Sequence, residues 1–285
     1  YITRVAIPSR AAQSRQIMSM AKAFHLALGK DFSLVCYAQS DLELDYVRGL
    51  DLNTTNGILR YIFACFEALK LLSEKNTVTV YTRDIAVSLV CTILGIRSVY
   101  EAHKEPIGRF SHFATKYLCG RETFFLVTIS DALKKFYMKN YGVSESRSLA
   151  AHDGVFLEEY DCVVLNDKSS LREELGLPSD KFLIVHTGSL YEGRGAELFG
   201  HVVKIREDIC FVQVGGERED VERWKNFYSD HVKSGEILFV ERVSHDKVIK
   251  YQKVADLLFY MITKNTPTYW CCSPLKLFEY LASGT

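Results

Sequence analysis

Along most of this chain, short apolar runs alternate with longer stretches in which apolar residues recur every three or four positions. A run over residues 5–7 stops at Pro8. Ile17, Met20, Ala21, Phe24 and Leu28 then fall on one face of a helix that Gly29 ends. Residues 32–37 predict a second strand, 58–72 a helix with Ile62, Phe66 and Leu69 turned inward, and 77–81 a third strand rich in β-branched residues. After Thr82-Arg83-Asp84 the pattern gives an apolar helix over 85–94 closed by Gly95, then a strand over 98–100 that runs into Glu101-Ala102-His103. A buried strand over 124–129 follows, and Ser130-Asp131 caps a helix that Tyr141-Gly142-Val143 closes. Such alternation predicts parallel strands joined by right-handed crossovers, with a ligand crevice beyond their carboxyl ends. His103 stands just past one such end.

The same grammar restarts after an Asp153-Gly154 turn signal. A short helix over 171–175 and a turn at Pro178-Ser179-Asp180 lead to a strand at Phe182–Thr187 and a loop, 188–195, that contains Gly188, Gly193 and Gly195. Glycines there let backbone approach a ligand closely. Strands at Ile209–Val214, closed by Gly215-Gly216, and at Ile237–Val240 come next. A buried strand over 256–260 and a loop over 263–272 with Pro267, Tyr269 and Trp270 then deliver the chain to Ser273-Pro274. The aromatics of that loop either stack on a base or sugar or cover the core. A boundary within 156–170 follows, giving domains 1–160 and 161–285.

Composition fits two soluble domains: 285 residues, 48% hydrophobic and 25% charged, are more than one core usually serves. Lys plus Arg equals Asp plus Glu at 35 each, which argues against a nucleic-acid partner. The eight cysteines are scattered, and Cys271-Cys272 are adjacent rather than spaced for zinc, so reduced thiols in the cytoplasm are expected. His152, His186 and His245 also lack ligand spacing, and no metal is expected. No apolar run approaches the roughly 18 residues of a membrane span, which leaves peripheral attachment open. The loop over 9–16 has no glycine, excluding the dinucleotide fingerprint, and neither a Gly-x-Ser-x-Gly elbow nor a Gly-Lys-Thr phosphate loop is present.

The chemistry concentrates in Ser273-Pro274-Leu275-Lys276-Leu277-Phe278-Glu279-Tyr280. Pro274 suits a first helical turn and Ser273 an N-cap, so free N–H groups and the Lys276 charge would face an anion. Glu279, one turn on, could accept from paired hydroxyls such as those of a ribose. The same spacing also describes an ordinary amphipathic helix with Leu275, Phe278 and Leu281 inward and Lys276 solvated.

This motif, continued by Leu281-Ala282-Ser283-Gly284, resembles the signature of the family 4 retaining glycosyltransferases, and Thr82-Arg83-Asp84 and Val99-Tyr100-Glu101-Ala102-His103 resemble segments of that family's first domain. The resemblance implies an α/β chain of two facing Rossmann-like domains with parallel sheets (GT-B), the second incomplete because the chain stops directly after the motif. It implies transfer of a hexosyl group from a nucleotide diphosphate sugar, with retention, to a glycan, lipid-linked or small-molecule acceptor, at the inner face of a membrane or free in the cytoplasm. The nucleotide sugar is then the donor substrate, and no further cofactor is called for. Donor binding falls to Gly188, Arg194, Ser273, Leu275, Lys276 and Glu279, the glutamate on the ribose. His103 acts on the sugar and acceptor side as the catalytic residue, and Ser14 and Arg15 line the cleft. Two positions depart from the family pattern: Cys271 stands where a second acid is usual, eight residues before Glu279, and Ser189 where the loop's arginine is usual. Those departures keep two alternatives open, an impaired sugar-nucleotide-binding protein and a sugar-nucleotide epimerase of similar fold.

Overall fold

The computed structural model describes residues 1–285 apart from 8–11, 39–43, 51–55, 164–166, 192 and 267. The Pro8 stop, the first part of the loop over 9–16, part of the boundary segment and Pro267 therefore lie outside the described residues. The chain forms two compact units, Tyr1–His152 with Cys271–Ser273, and Asp153–Trp270 with Pro274–Thr285.

Among the described residues the first unit holds seven parallel strands in two hydrogen-bonded sheets. One has the order β1 (Ile2–Ile7), β2 (Leu34–Ala38), β3 (Val47–Gly49) and the other β4 (Thr79–Thr82), β5 (Arg97–Ala102), β6 (Phe124–Thr128), β7 (Ser148–Ala150). β1 lies beside β4, and side chains make that seam. The Arg4 backbone N–H and its Nε donate to Asp84 at 2.9 and 2.8 Å, and the Tyr1 ring meets Tyr81 edge-on at 5.1 Å. The resulting order is 3-2-1-4-5-6-7, whose first six positions are those of doubly wound nucleotide folds. Asp84 occupies the N-cap position of the helix Ile85–Ile93 but caps nothing with its side chain, because both carboxylate oxygens serve Arg4. Burial pushes its pKa up, against the pull of those Arg4 bonds.

Among the described residues the second unit forms one parallel sheet in the order β10 (Ile237–Val240), β9 (Ile209–Val214), β8 (Phe182–Thr187), β11 (Leu257–Leu258). Both faces are covered, as period-2 side chains in a parallel sheet require. Ile184 and Phe211 pack with Phe199 and Tyr228 on one side, while Leu183, Val185 and Val212 pack with Tyr251 and Val254 on the other. Among the described residues no helix is long and apolar enough to cross a membrane.

Two helix faces differ from the sequence expectation. In the helix Gly57–Lys70, capped by the Asn56 side chain, the buried residues are Ala64, Glu67 and Ala68, whereas Ile62, Phe66 and Leu69 are all exposed. Two alanines let the helix approach the core closely, and Arg48 and Lys70 pair with the Glu67 carboxylate. In the helix Leu275–Ser283 the buried residues are Glu279, Tyr280 and Ser283, and Leu281 is exposed. Pro274 itself occupies the N-cap position, with ψ 108°, so Ser273 is one residue further out than an N-cap.

A buried cation ties the second unit together. Arg172 donates to the Val254 carbonyl from Nε at 3.1 Å and from Nη2 at 2.9 Å, and to Asp256 at 2.7 Å. Asp256 also receives the Leu183 N–H at 2.8 Å. Arg172→Ala strands these acceptors and is expected to cost about 3 kcal/mol. Urea unfolding followed by tryptophan fluorescence reads this unit directly, since Trp224 and Trp270, the only tryptophans, both belong to it.

Candidate functional site

In the second unit the residues that carry charge and ligand-approach geometry gather at the carboxyl end of β8. The chain leaves that strand through Gly188, at φ 128°, and leaves β9 through Gly215 and Gly216, at φ 91° and 115°. Gln213, fully buried in β9, holds both turns: its Nε2 donates to the Gly188 carbonyl at 2.9 Å and to that of Gly215 at 3.0 Å. Its Oε1 consequently faces His186, whose Nδ1–H donates to it at 2.6 Å.

Gly188 has a steric reason to be glycine as well as a conformational one, because a Cβ there would overlap Cε and Nζ of Lys276. The lysine side chain thus lies across the turn. Arg194 sits further along the same loop, with its guanidinium 4.5 Å above the Tyr191 ring and Nη2 donating to the Tyr191 hydroxyl. Its Nε is buried and makes no hydrogen bond, an unmet donor on a cation. The loop is braced from the side by Thr263 and Thr266, whose N–H and hydroxyl both donate to the Gly193 carbonyl at 3.2 Å.

The two cations act on one reporter. Burial is the main force lowering the His186 pKa, to about 4, and the charges of Lys276 and Arg194 press it further down against the Gln213 bond. Both charges are thus felt at His186, the residue before the last of β8.

The helix Leu275–Ser283 is docked on that end through Tyr280. The tyrosine hydroxyl receives the Thr187 N–H at 3.0 Å and donates to the Phe259 carbonyl at 3.2 Å. This fixes Leu275 and Lys276 in the first helical turn and buries the Glu279 carboxylate beside Gln252, whose Nε2 lies 3.3 Å from Oε2. Gly188, Arg194, Leu275, Lys276 and Glu279 accordingly share one region of the second unit. Ser273 clusters with the first unit, as does Cys271, a buried thiol whose pKa burial pushes up to about 11 and whose carbonyl accepts from Ser130 at 2.7 Å.

In the first unit His103 follows the end of β5, and its Nε2 lies 2.9 Å from Glu101 Oε1. Glu101 is buried and is gripped by Arg83 through two bonds, Nε to Oε2 at 2.8 Å and Nη2 to Oε1 at 2.9 Å. Burial alone would raise the Glu101 pKa, but the His103 bond and the Arg83 charge outweigh it and bring the value to about 2. Ser14 and Arg15 lie in the first turn of the helix Ala12–Leu28, Ser14 buried and Arg15 exposed. The next residue, Gln16, accepts from Arg83 at 3.4 Å. The Arg83–Glu101 pair, Gln213, Gln252 and Tyr280 were not singled out from sequence. A signal existed for Glu101 and for Gln213, since a parallel strand buried on both faces has no place for a polar side chain unless a partner waits for it.

No protein-family model and no curated protein sequence matches the chain, but solved structures do. The structure of HepE from Anabaena in complex with UDP and glucose superposes with a TM-score of 0.68 at 14% identity, covering 99% of this chain and 77% of that one. WaaG, a glycosyltransferase involved in lipopolysaccharide biosynthesis, gives 0.66 at 14% identity over 98% and 77%. A glycosyltransferase from Rickettsia africae gives 0.67 at 16% identity over 89% and 70%. Two units of parallel α/β sheet and this likeness define the chain as having the GT-B glycosyltransferase fold.

Lys276→Met should raise the His186 pKa, because one of the two charges opposing its protonation is gone. The unfolded chain binds that proton near 6.5 and the folded one near 4, so stability falls as pH drops through this window, and it should fall less in the variant. Histidine NMR titration and denaturant unfolding across the same range check the two expectations.

Proposed function

We propose that the chain is a nucleotide-sugar-dependent glycosyltransferase of the family 4 retaining type, moving a hexosyl group to a glycan, lipid-linked or small-molecule acceptor. The observation that carries this reading is the convergence of Gly188, Arg194, Lys276 and Glu279 on the carboxyl end of β8, where open α/β sheets bind ligands. A nucleoside diphosphate leaving group gains charge as the glycosidic bond breaks, and preorganised cations beside free helix N–H groups stabilise that charge. In this reading Arg194 and Lys276, with the N–H groups that open the helix at Leu275, hold the diphosphate. Gly188 lets it approach the backbone, Ser273 borders it, and Glu279 accepts from the ribose hydroxyls. Among the structural neighbours HepE was solved with UDP-glucose, which supports a sugar nucleotide as the ligand class. His103 is the proposed catalytic residue for the transferred sugar, with Ser14 and Arg15 on the acceptor side. Eight free thiols suit a reducing compartment, and we place the enzyme in the cytoplasm or at the inner face of a membrane.

One observation favours a second reading, a sugar-nucleotide-binding protein with little turnover. Cys271 is a buried neutral thiol where the family pattern has an acid, so a carboxylate contact to the donor sugar is missing.

Three measurements test the proposal. Nucleoside diphosphates should bind far more tightly than the matching nucleosides, and equal competition by both would remove Arg194 and Lys276 from the site. Glu279→Ala should weaken diphosphate binding by roughly ten- to a hundredfold, the equivalent of losing about 1.5–3 kcal/mol of charged hydrogen bonding, read by calorimetry at intact fold. His103→Ala should slow transfer while leaving nucleotide affinity unchanged, the pattern of an interaction made chiefly in the transition state. Tight binding of a sugar nucleotide without turnover, with or without an acceptor, would select the second reading.

A further inference from the structure

The Arg83–Glu101 pair does more than join neighbouring strand ends, because a partly exposed histidine completes it. Oε2 of Glu101 is taken by Arg83 Nε, and Oε1 is shared between Arg83 Nη2 and His103 Nε2. All three contacts fall within 2.8–2.9 Å, with Glu101 and Arg83 almost wholly buried and the His103 side chain 29% exposed. The groups packed around them are Gln16 from the helix Ala12–Leu28, Tyr1 and Asp84 at the β1–β4 seam, and Tyr81 on β4. An ionised carboxylate has no hydrogen to give, so a hydrogen bond between Oε1 and the ring exists only if Nε2 carries the proton. In the neutral imidazole the other nitrogen then has a lone pair and no hydrogen. Among the described residues nothing bonds to Nδ1.

We infer that Glu101, clamped by Arg83, is the positioning residue for His103: it holds the ring in the Nε2–H form and leaves Nδ1 as an acceptor for a substrate hydroxyl. This inference rests on the transferase reading for its consequence but not for its geometry. A sugar or acceptor hydroxyl would donate to Nδ1, and the wrong tautomer would present a donor to a donor. Arg83 keeps the carboxylate charged and prevents it from turning away, the part played by outer partners that orient a working histidine.

The test uses the full chain labelled with ¹⁵N histidine, with His103→Gln to assign the ring. Above the ordinary histidine titration range, the wild-type spectrum should show a protonated Nε2 and a bare Nδ1 at residue 103, and Glu101→Gln should replace this with a mixture of both tautomers. In the same variant kcat should fall by roughly 10- to 100-fold while nucleotide affinity is unchanged. A wild-type ring protonated on Nδ1 overturns the inference without any variant, which covers the case in which Glu101→Gln does not fold. An unchanged tautomer and unchanged kcat in Glu101→Gln overturn it too. If no sugar nucleotide is turned over but the wild-type ring is in the Nε2–H form, the positioning inference stands and the transferase reading fails.

Discussion

The second unit depends on one hydroxyl. Tyr280 accepts the Thr187 N–H at the last residue of β8 and donates to Phe259 beyond β11, so a helix is set against the open end of a parallel sheet by the two roles of a single oxygen. Lys276 lies about one turn before Tyr280 and Glu279 directly beside it, and their places over Gly188 and against Gln252 follow from that docking. The hydroxyl belongs to a buried side chain, and burial pushes its pKa up to about 12, so it stays a neutral donor and acceptor.

Both units share a device. Each buries a strand that carries one polar residue near its carboxyl end, and each uses that residue to shape what comes after the strand. In β5 it is Glu101, which orients His103. In β9 it is Gln213, whose amide nitrogen pins the turns at Gly188 and Gly215 and whose oxygen meets His186. A buried amide or carboxylate is costly unless every bond is satisfied, so such residues rigidify the turns that they touch.

The strands were legible from sequence because a parallel sheet needs unbroken apolar runs, and Phe182–Thr187, Ile209–Val214 and Ile237–Val240 have the predicted bounds. The short strands β3 and β7 were not, since three residues each carry too little pattern. Helix faces were misread where size mattered more than hydrophobicity: Ala64 and Ala68 go inward while Ile62 and Phe66 stay out, because close approach selects small side chains. Of the candidate site, the glycines, Arg194 and Lys276 could be named from local motifs. Gln252, reaching Glu279 across 27 positions, and Arg83, reaching Glu101 across 18, could not, because pairs that distant leave no periodic trace.

Gly188 carries two separate demands, and they differ in how a second substitution could relieve them. The overlap with Lys276 is steric and would vanish if residue 276 were shortened. The backbone at φ 128° is a demand on residue 188 alone, and no change elsewhere lifts it. Positions 188 and 276 are therefore coupled in one direction only. Truncating the lysine widens what space allows at 188, yet leaves glycine as the sole residue at ease there, so drift at the two positions cannot be mutually compensating.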